Sequence, residues 1–111
     1  MQFLKEGDEF LNKNDLVQAS EKYYKAAEEA IKILSNKNNI KVLSEVKKFD
    51  RWRSEFLFEA TLELSANYSI IKDIWKSAWI LHVEGFHETR LTKEKVTFYG
   101  NIVKNLYNII K

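Results

Sequence analysis

Apolar side chains recur every third or fourth residue along most of this chain, the period of a helix that buries one face. A short first helix is expected over residues 1–12, with Leu4, Phe10 and Leu11 as its apolar positions. The polar run Asn12-Lys13-Asn14-Asp15 interrupts the pattern. Asp15 is placed to cap the next helix, because its carboxylate can accept from amides that lack a helical partner. That helix, over residues 16–34, carries the stripe Leu16, Ala19, Tyr23, Ala26, Ala27, Ala30, Ile33 and Leu34. Off the stripe, Glu21–Lys25 and Glu28–Lys32 are pairs four apart in the favourable order, worth a few tenths of a kcal/mol each.

Residues 35–39 read as a loop. A third helical stretch over residues 40–65 carries Leu43, Val46, Phe49, Trp52, Phe56, Leu57, Ala60 and Leu64, and the pattern allows a break at Phe49-Asp50. The fourth, over residues 69–89, places Ile71, Ile74, Trp75, Ala78, His82 and Phe86 along one side. Thr92 is positioned to cap a fifth helix with the stripe Val96, Tyr99, Val103, Leu106 and Ile110. Proline is absent, glycine occurs only at 7, 85 and 100, and no Asn-Gly or Asp-Gly hairpin signal appears. Short connections make successive helices antiparallel neighbours. The expected architecture is therefore a single all-α domain over residues 1–111, an up-and-down antiparallel bundle of four main helices plus a short N-terminal one.

Composition narrows the chemistry. Hydrophobic residues make up 45% of the chain, so a core can form without disulfides. Cysteine is absent, which excludes thiol nucleophiles and thiolate metal sites. The formal charge is only +2, and Lys37, Lys41, Lys47 and Lys48 are spread through a polar stretch without forming a basic stripe. A solvated face is the plainer reading, so charge does not indicate nucleotide or RNA binding. The opening residues, 1–6, carry charges where a signal peptide has its apolar core, and no apolar run approaches the ~20 residues of a transmembrane helix. The expectation is a cytoplasmic protein.

Two segments carry a family resemblance: Asp15-Leu-Val-Gln-Ala-Ser-Glu-Lys-Tyr-Tyr-Lys-Ala-Ala-Glu-Glu-Ala-Ile-Lys32 and Trp75-Lys-Ser-Ala-Trp-Ile-Leu-His-Val-Glu-Gly-Phe-His-Glu88. In this order and at this separation they resemble the archaeal PaREP family, itself similar to the HEPN helical bundles. Leu81-His-Val-Glu-Gly-Phe-His-Glu88 is the most specific part. The resemblance implies a bundle of four main helices, a homodimer and a cytoplasmic archaeal origin. HEPN relatives include nucleotide-binding modules, partners of nucleotidyltransferases, and ribonucleases that use an arginine followed after four to six residues by a histidine. This chain lacks that pattern. Arg51 and Arg53 reach no histidine at those offsets, and both histidines precede Arg90. Residues 7–30 also look like one tetratricopeptide unit, but such units need about three stacked copies and no second one is present.

The two histidines, His82 and His87, invite a metal reading with Glu84 or Glu88 as an added ligand. On a continuous α-helix they would stand ~140° apart, which argues against a shared ion unless the helix breaks near Gly85 or a partner supplies ligands. No metal and no cofactor is therefore expected. The plainer reading of His82 is a buried neutral imidazole bonded to a neighbouring helix. His87 and Arg90, with Lys76 on the same side, could form a small anion patch, against the alternative of a solvated helix end. The candidate ligand-binding residues are His82, His87, Arg90 and Glu84. Trp52 and Trp75 fit the core, whereas Trp79 lies at the stripe's edge. Trp79, Val83, Gly85 and Phe86 extend the apolar surface of the fourth helix and are the candidate homodimer interface.

No phosphate loop, nucleophile elbow or triad is present. The leading expectation is a noncatalytic interaction module serving a partner such as a nucleotidyltransferase. The alternative is a nucleotide- or RNA-processing protein with a nonstandard site on the fourth helix.

Overall fold

The computed structural model describes residues 1–110, and every regular element among them is helical. The elements are α1 (Gln2–Asn12), α2 (Leu16–Asn38), α3 (Leu43–Phe49), α4 (Ser54–Leu64) and α5 (Ile71–Ile80). A π-helical turn (Leu81–His87) continues α5, and α6 (Lys93–Val103) runs into a 3₁₀ turn (Lys104–Asn108). Both expected caps form: Asp15 Oδ1 accepts from Gln18 N at 3.1 Å, and Thr92 Oγ1 from Lys95 N at 3.3 Å.

Three boundaries differ from the sequence reading, and the break it allows at Phe49-Asp50 is present. Residues 35–38 are not a loop but the last turn of α2. Their polar side chains bond back to carbonyls one turn earlier: Ser35 Oγ to Ile31 O at 2.6 Å, Asn36 Nδ2 to Lys32 O at 3.0 Å and Asn38 Nδ2 to Leu34 O at 2.8 Å. The helix stops where Asn39 takes a left-handed conformation, φ 48°. The third stretch is two helices, α3 and α4, parted where Asp50 is left-handed with φ 54°. Residues 40–42 lie outside both. The Glu63 carboxylate holds that segment, accepting from Lys41 N at 2.8 Å and Val42 N at 3.0 Å. The fourth stretch is regular only as far as Ile80, and the fifth only as far as Val103.

α2 is the hub, packed by α1, α4, α5, the π turn and α6. Its stripe explains this: Ala19, Ala26, Ala27 and Ala30 are fully buried, and their small size lets neighbours approach closely. The three glycines complete the arrangement, since each faces α2. A Cβ at Gly7 would come 2.6 Å from Tyr23 Cε1, and one at Gly100 2.8 Å from Tyr23 Cε2. One at Gly85 would collide with the Ser20 hydroxyl. Tyr23, fully buried between α1 and α6, donates its hydroxyl to Asp8 Oδ1 at 2.5 Å, and Asp8 also receives Lys104 Nζ at 3.0 Å. Burial and then the Asp8 carboxylate push the Tyr23 phenol far above its ordinary range. Phe56 and Trp75 are buried, while Trp52 and Trp79 are half-buried at the core's edge.

Candidate functional site

The π turn changes the geometry of the histidine pair. Glu88 N donates to Val83 O at 2.9 Å, five residues back, so the turn is wider than an α-turn and residues five apart come into line. His82 and His87 are therefore not ~140° apart, as a continuous α-helix would have them. Their Nε2 atoms lie 3.2 Å from one another, with the rings edge to face at 82°. His87 is exposed and His82 is largely covered, its side chain 19% accessible.

The far side of His82 is held by α2. Glu21 Oε1 sits 3.0 Å from His82 Nδ1. The Glu21–Lys25 pair read from the sequence does not form among the described residues, because Glu21 turns to a histidine 61 positions away in its place. The Glu28–Lys32 pair does form, at 3.4 Å. The carboxylate on Nδ1 favours the tautomer with its proton there, which turns the Nε2 lone pair toward His87. Tyr24 stacks on the His82 ring with centroids 4.0 Å apart, and Phe86 lies parallel to it at 6.1 Å. The result is a carboxylate–imidazole–imidazole chain, largely covered at Glu21 and open to solvent at His87.

The other candidate residues part company. Arg90 closes a fork on Glu84, Nε to Oε2 at 2.9 Å and Nη2 to Oε1 at 3.1 Å, with Glu88 3.9 Å away. Its charge is thus already matched, so His87 and Arg90 do not make the open anion patch considered from the sequence. Lys76 is not beside them either, since it lines grooves flanking α5. Gly85 is buried, and the space left by its missing side chain is taken by Ser20 of α2. It therefore offers no close approach to a second molecule. Val83 and Phe86 are half-buried.

A second feature adjoins the first. Between α4 and α5 runs an almost wholly apolar groove of about 460 Å³, walled by Phe58, Leu62, Trp75 and Trp79, with Lys72 and Lys76 at its margin. Phe58 packs edge-on against Trp79 at 5.0 Å, and Trp79 in turn lies 5.4 Å from His82, so the aromatic surface is continuous. Phe58 is 40% exposed and Leu62 61%. Sequence reasoning placed neither Phe58, Leu62 nor Glu21 in a functional site. Phe58 and Leu62 had a legible signal, being apolar, four apart and off the α4 core stripe. Glu21 had none, because its partner is tertiary.

The fold and this paired site define an all-α protein whose fifth helix ends in a histidine-bearing π turn packed on a central helix. The chain belongs to the archaeal PaREP1/PaREP8 family, whose model matches residues 1–107. It is similar to a Sulfolobus solfataricus protein of known crystal structure, at 51% identity and a TM-score of 0.87, covering 94% of this chain and 86% of that one. The solution structure of the same structural-genomics target gives 52% identity and a TM-score of 0.82, covering 94% and 81%. No curated protein is similar to this chain. No helix among the described residues is long and apolar enough to cross a membrane.

Proposed function

We propose that the chain is a noncatalytic helical interaction module that works as a homodimer and serves a cytoplasmic protein partner, such as a nucleotidyltransferase. On this reading its helices form an up-and-down antiparallel bundle of the HEPN kind, with α1 as the short leading helix. The observation that carries the proposal is the α4–α5 groove. Phe58 and Leu62 stand in solvent beside Trp79, and contiguous exposed apolar surface of this kind commonly marks an interaction site. A second copy is the chosen occupant, because two-fold homodimers are the commonest assemblies. The charges suit a two-fold arrangement: Glu59 is exposed on α4 three residues before Leu62, and Lys72 and Lys76 are exposed on α5. A copy laid across the groove would turn each Glu59 toward its partner's lysines. Trp79 stays in this interface, Val83 and Phe86 flank it, and Gly85 drops out of it.

Sedimentation velocity of the chain at tens of micromolar tests the reading. A dimer is expected, weakened by Leu62→Asp and by Trp79→Ala, since truncating an aromatic anchor commonly costs about 2 kcal/mol or more. A species of 13.2 kDa, the mass of one chain, would overturn it.

One observation favours a second reading, a nucleotide- or RNA-processing site on the π turn. The Glu21–His82–His87 chain orients an imidazole for proton transfer at the surface. Cleavage of a mixed RNA substrate by the pure protein, lost in His87→Ala, would put this reading first.

A further inference from the structure

The geometry points to a divalent transition-metal site made by His82 and His87, with Glu21 as the group that orients it. Two nitrogens bound to one tetrahedral ion at about 2.0–2.1 Å are separated by roughly 3.3 Å. The two Nε2 atoms already stand 3.2 Å apart, close to the separation an ion between them requires. The π turn is what makes this possible. Here a histidine spacing of five does what a spacing of four does on an ordinary zinc-binding α-helix.

The surroundings match those of metal-binding imidazoles. A ligating histidine almost always donates its other ring N–H to a carboxylate or carbonyl, which fixes the tautomer and raises the basicity of the bound nitrogen. Glu21 does this for His82, from a side chain only 14% accessible. Tyr24 on one face and Phe86 in a parallel plane limit the rotation of the His82 ring. His87 is exposed, so the ion has an entry path and water can fill the remaining positions. Among the described residues no cluster of three or more His, Cys, Asp or Glu is placed to hold a metal, so the site is an open two-histidine chelate, not a closed structural centre. Two imidazoles and water suit Zn²⁺, Ni²⁺ or Cu²⁺ and do not suit Mg²⁺ or Ca²⁺.

The sequence makes the test clean. The chain has two histidines and no cysteine, so an untagged protein has no other imidazole or thiolate to confuse the result. Calorimetric titration with ZnCl₂, and separately with CuCl₂, should show one ion per chain, while MgCl₂ should give no heat. His87→Ala should abolish that binding without unfolding the protein, because His87 is exposed. Glu21→Gln should weaken it about tenfold or more, the usual effect of removing an orienting partner. Nitrogen-15 spectra of the imidazoles add a readout independent of affinity. Zinc should shift Nε2 of both rings and leave Nδ1 of His82 protonated. No uptake of zinc or copper by the wild-type chain, uptake unchanged in His87→Ala, or attachment through Nδ1 would each overturn the assignment.

Discussion

Gly100→Ala should destabilise this protein, although the same change in an open helix would strengthen it. Gly100 lies inside α6, where alanine is the better helix former by about 0.8–1.0 kcal/mol. Against that gain stands the Tyr23 ring. A methyl at position 100 would sit 2.8 Å from Cε2, when ordinary contact begins near 3.4 Å. The ring has nowhere to retreat, because its opposite edge already meets Gly7, where a Cβ would lie 2.6 Å from Cε1. Its hydroxyl is also tethered to Asp8. Overpacking a full core typically costs about 1–3 kcal/mol, so the net loss at Gly100 should be up to about 2 kcal/mol. Gly7→Ala should behave likewise. The discriminating measurement is a double-mutant cycle by urea unfolding with Tyr23→Leu. Tyr23→Leu alone is destabilising, but adding Gly100→Ala to it should be neutral or stabilising, since the ring edge is gone and the helix-propensity gain remains. Gly100→Ala that stabilises the wild-type chain, or a penalty that persists unchanged without the ring, would refute this account of the glycine.

Trp75→Ala and Phe56→Ala should each cost about 3–5 kcal/mol in the same assay, because both rings are buried. An effect below ~1 kcal/mol at both would mean that the α4 and α5 core faces are misassigned. Alkaline stability offers an independent check on Tyr23, whose phenol is held far above its ordinary range by burial and by Asp8. The folded chain keeps that proton when the unfolded chain begins to release it near pH 10, so Tyr23 contributes no pH dependence below about pH 10 and lowers stability with rising pH above it. One proton corresponds to a slope of about 1.4 kcal/mol per pH unit, and Tyr23→Phe should remove that share of the slope. An alkaline slope identical in the two proteins would mean that Tyr23 ionises normally in the folded state.

The core was legible because burial imposes a period. Leu4, Ala19, Tyr23, Ala26, Leu57, Ala60, Ile74, Ala78, Val96 and Val103 are all buried, as their spacing implies. What hydrophobic spacing cannot show is a competition between two partners for one polar group. The polar run at residues 35–38 looked like a loop because serine and asparagine usually favour turns, yet here their side chains bond carbonyls of their own helix. Glu21 looked like the partner of Lys25, since only the near neighbour is visible along the chain. The tertiary partner wins because Glu21 is largely covered where it meets His82, whereas Lys25 competes from solvent, where an exposed ion pair contributes little.

The π turn is the feature that sequence reasoning missed with the largest consequence, and its cause lies in α2. Gly85 sits against Ser20, whose hydroxyl is turned back onto Leu16 O at 2.7 Å. The next residue of α2, Glu21, and Tyr24 one turn further on hold His82 from the same helix. α2 thus grips the segment after Ile80 at two points, the glycine backbone and the histidine ring. Widening the turn between them satisfies both grips and leaves Phe86 half-buried. The close approach that excludes Gly85 from an interface is therefore part of what aligns His82 with His87. A side chain at position 85 would push the turn off Ser20 and disturb the 3.2 Å separation of the two imidazoles, even though residue 85 touches neither ring in the role proposed for them.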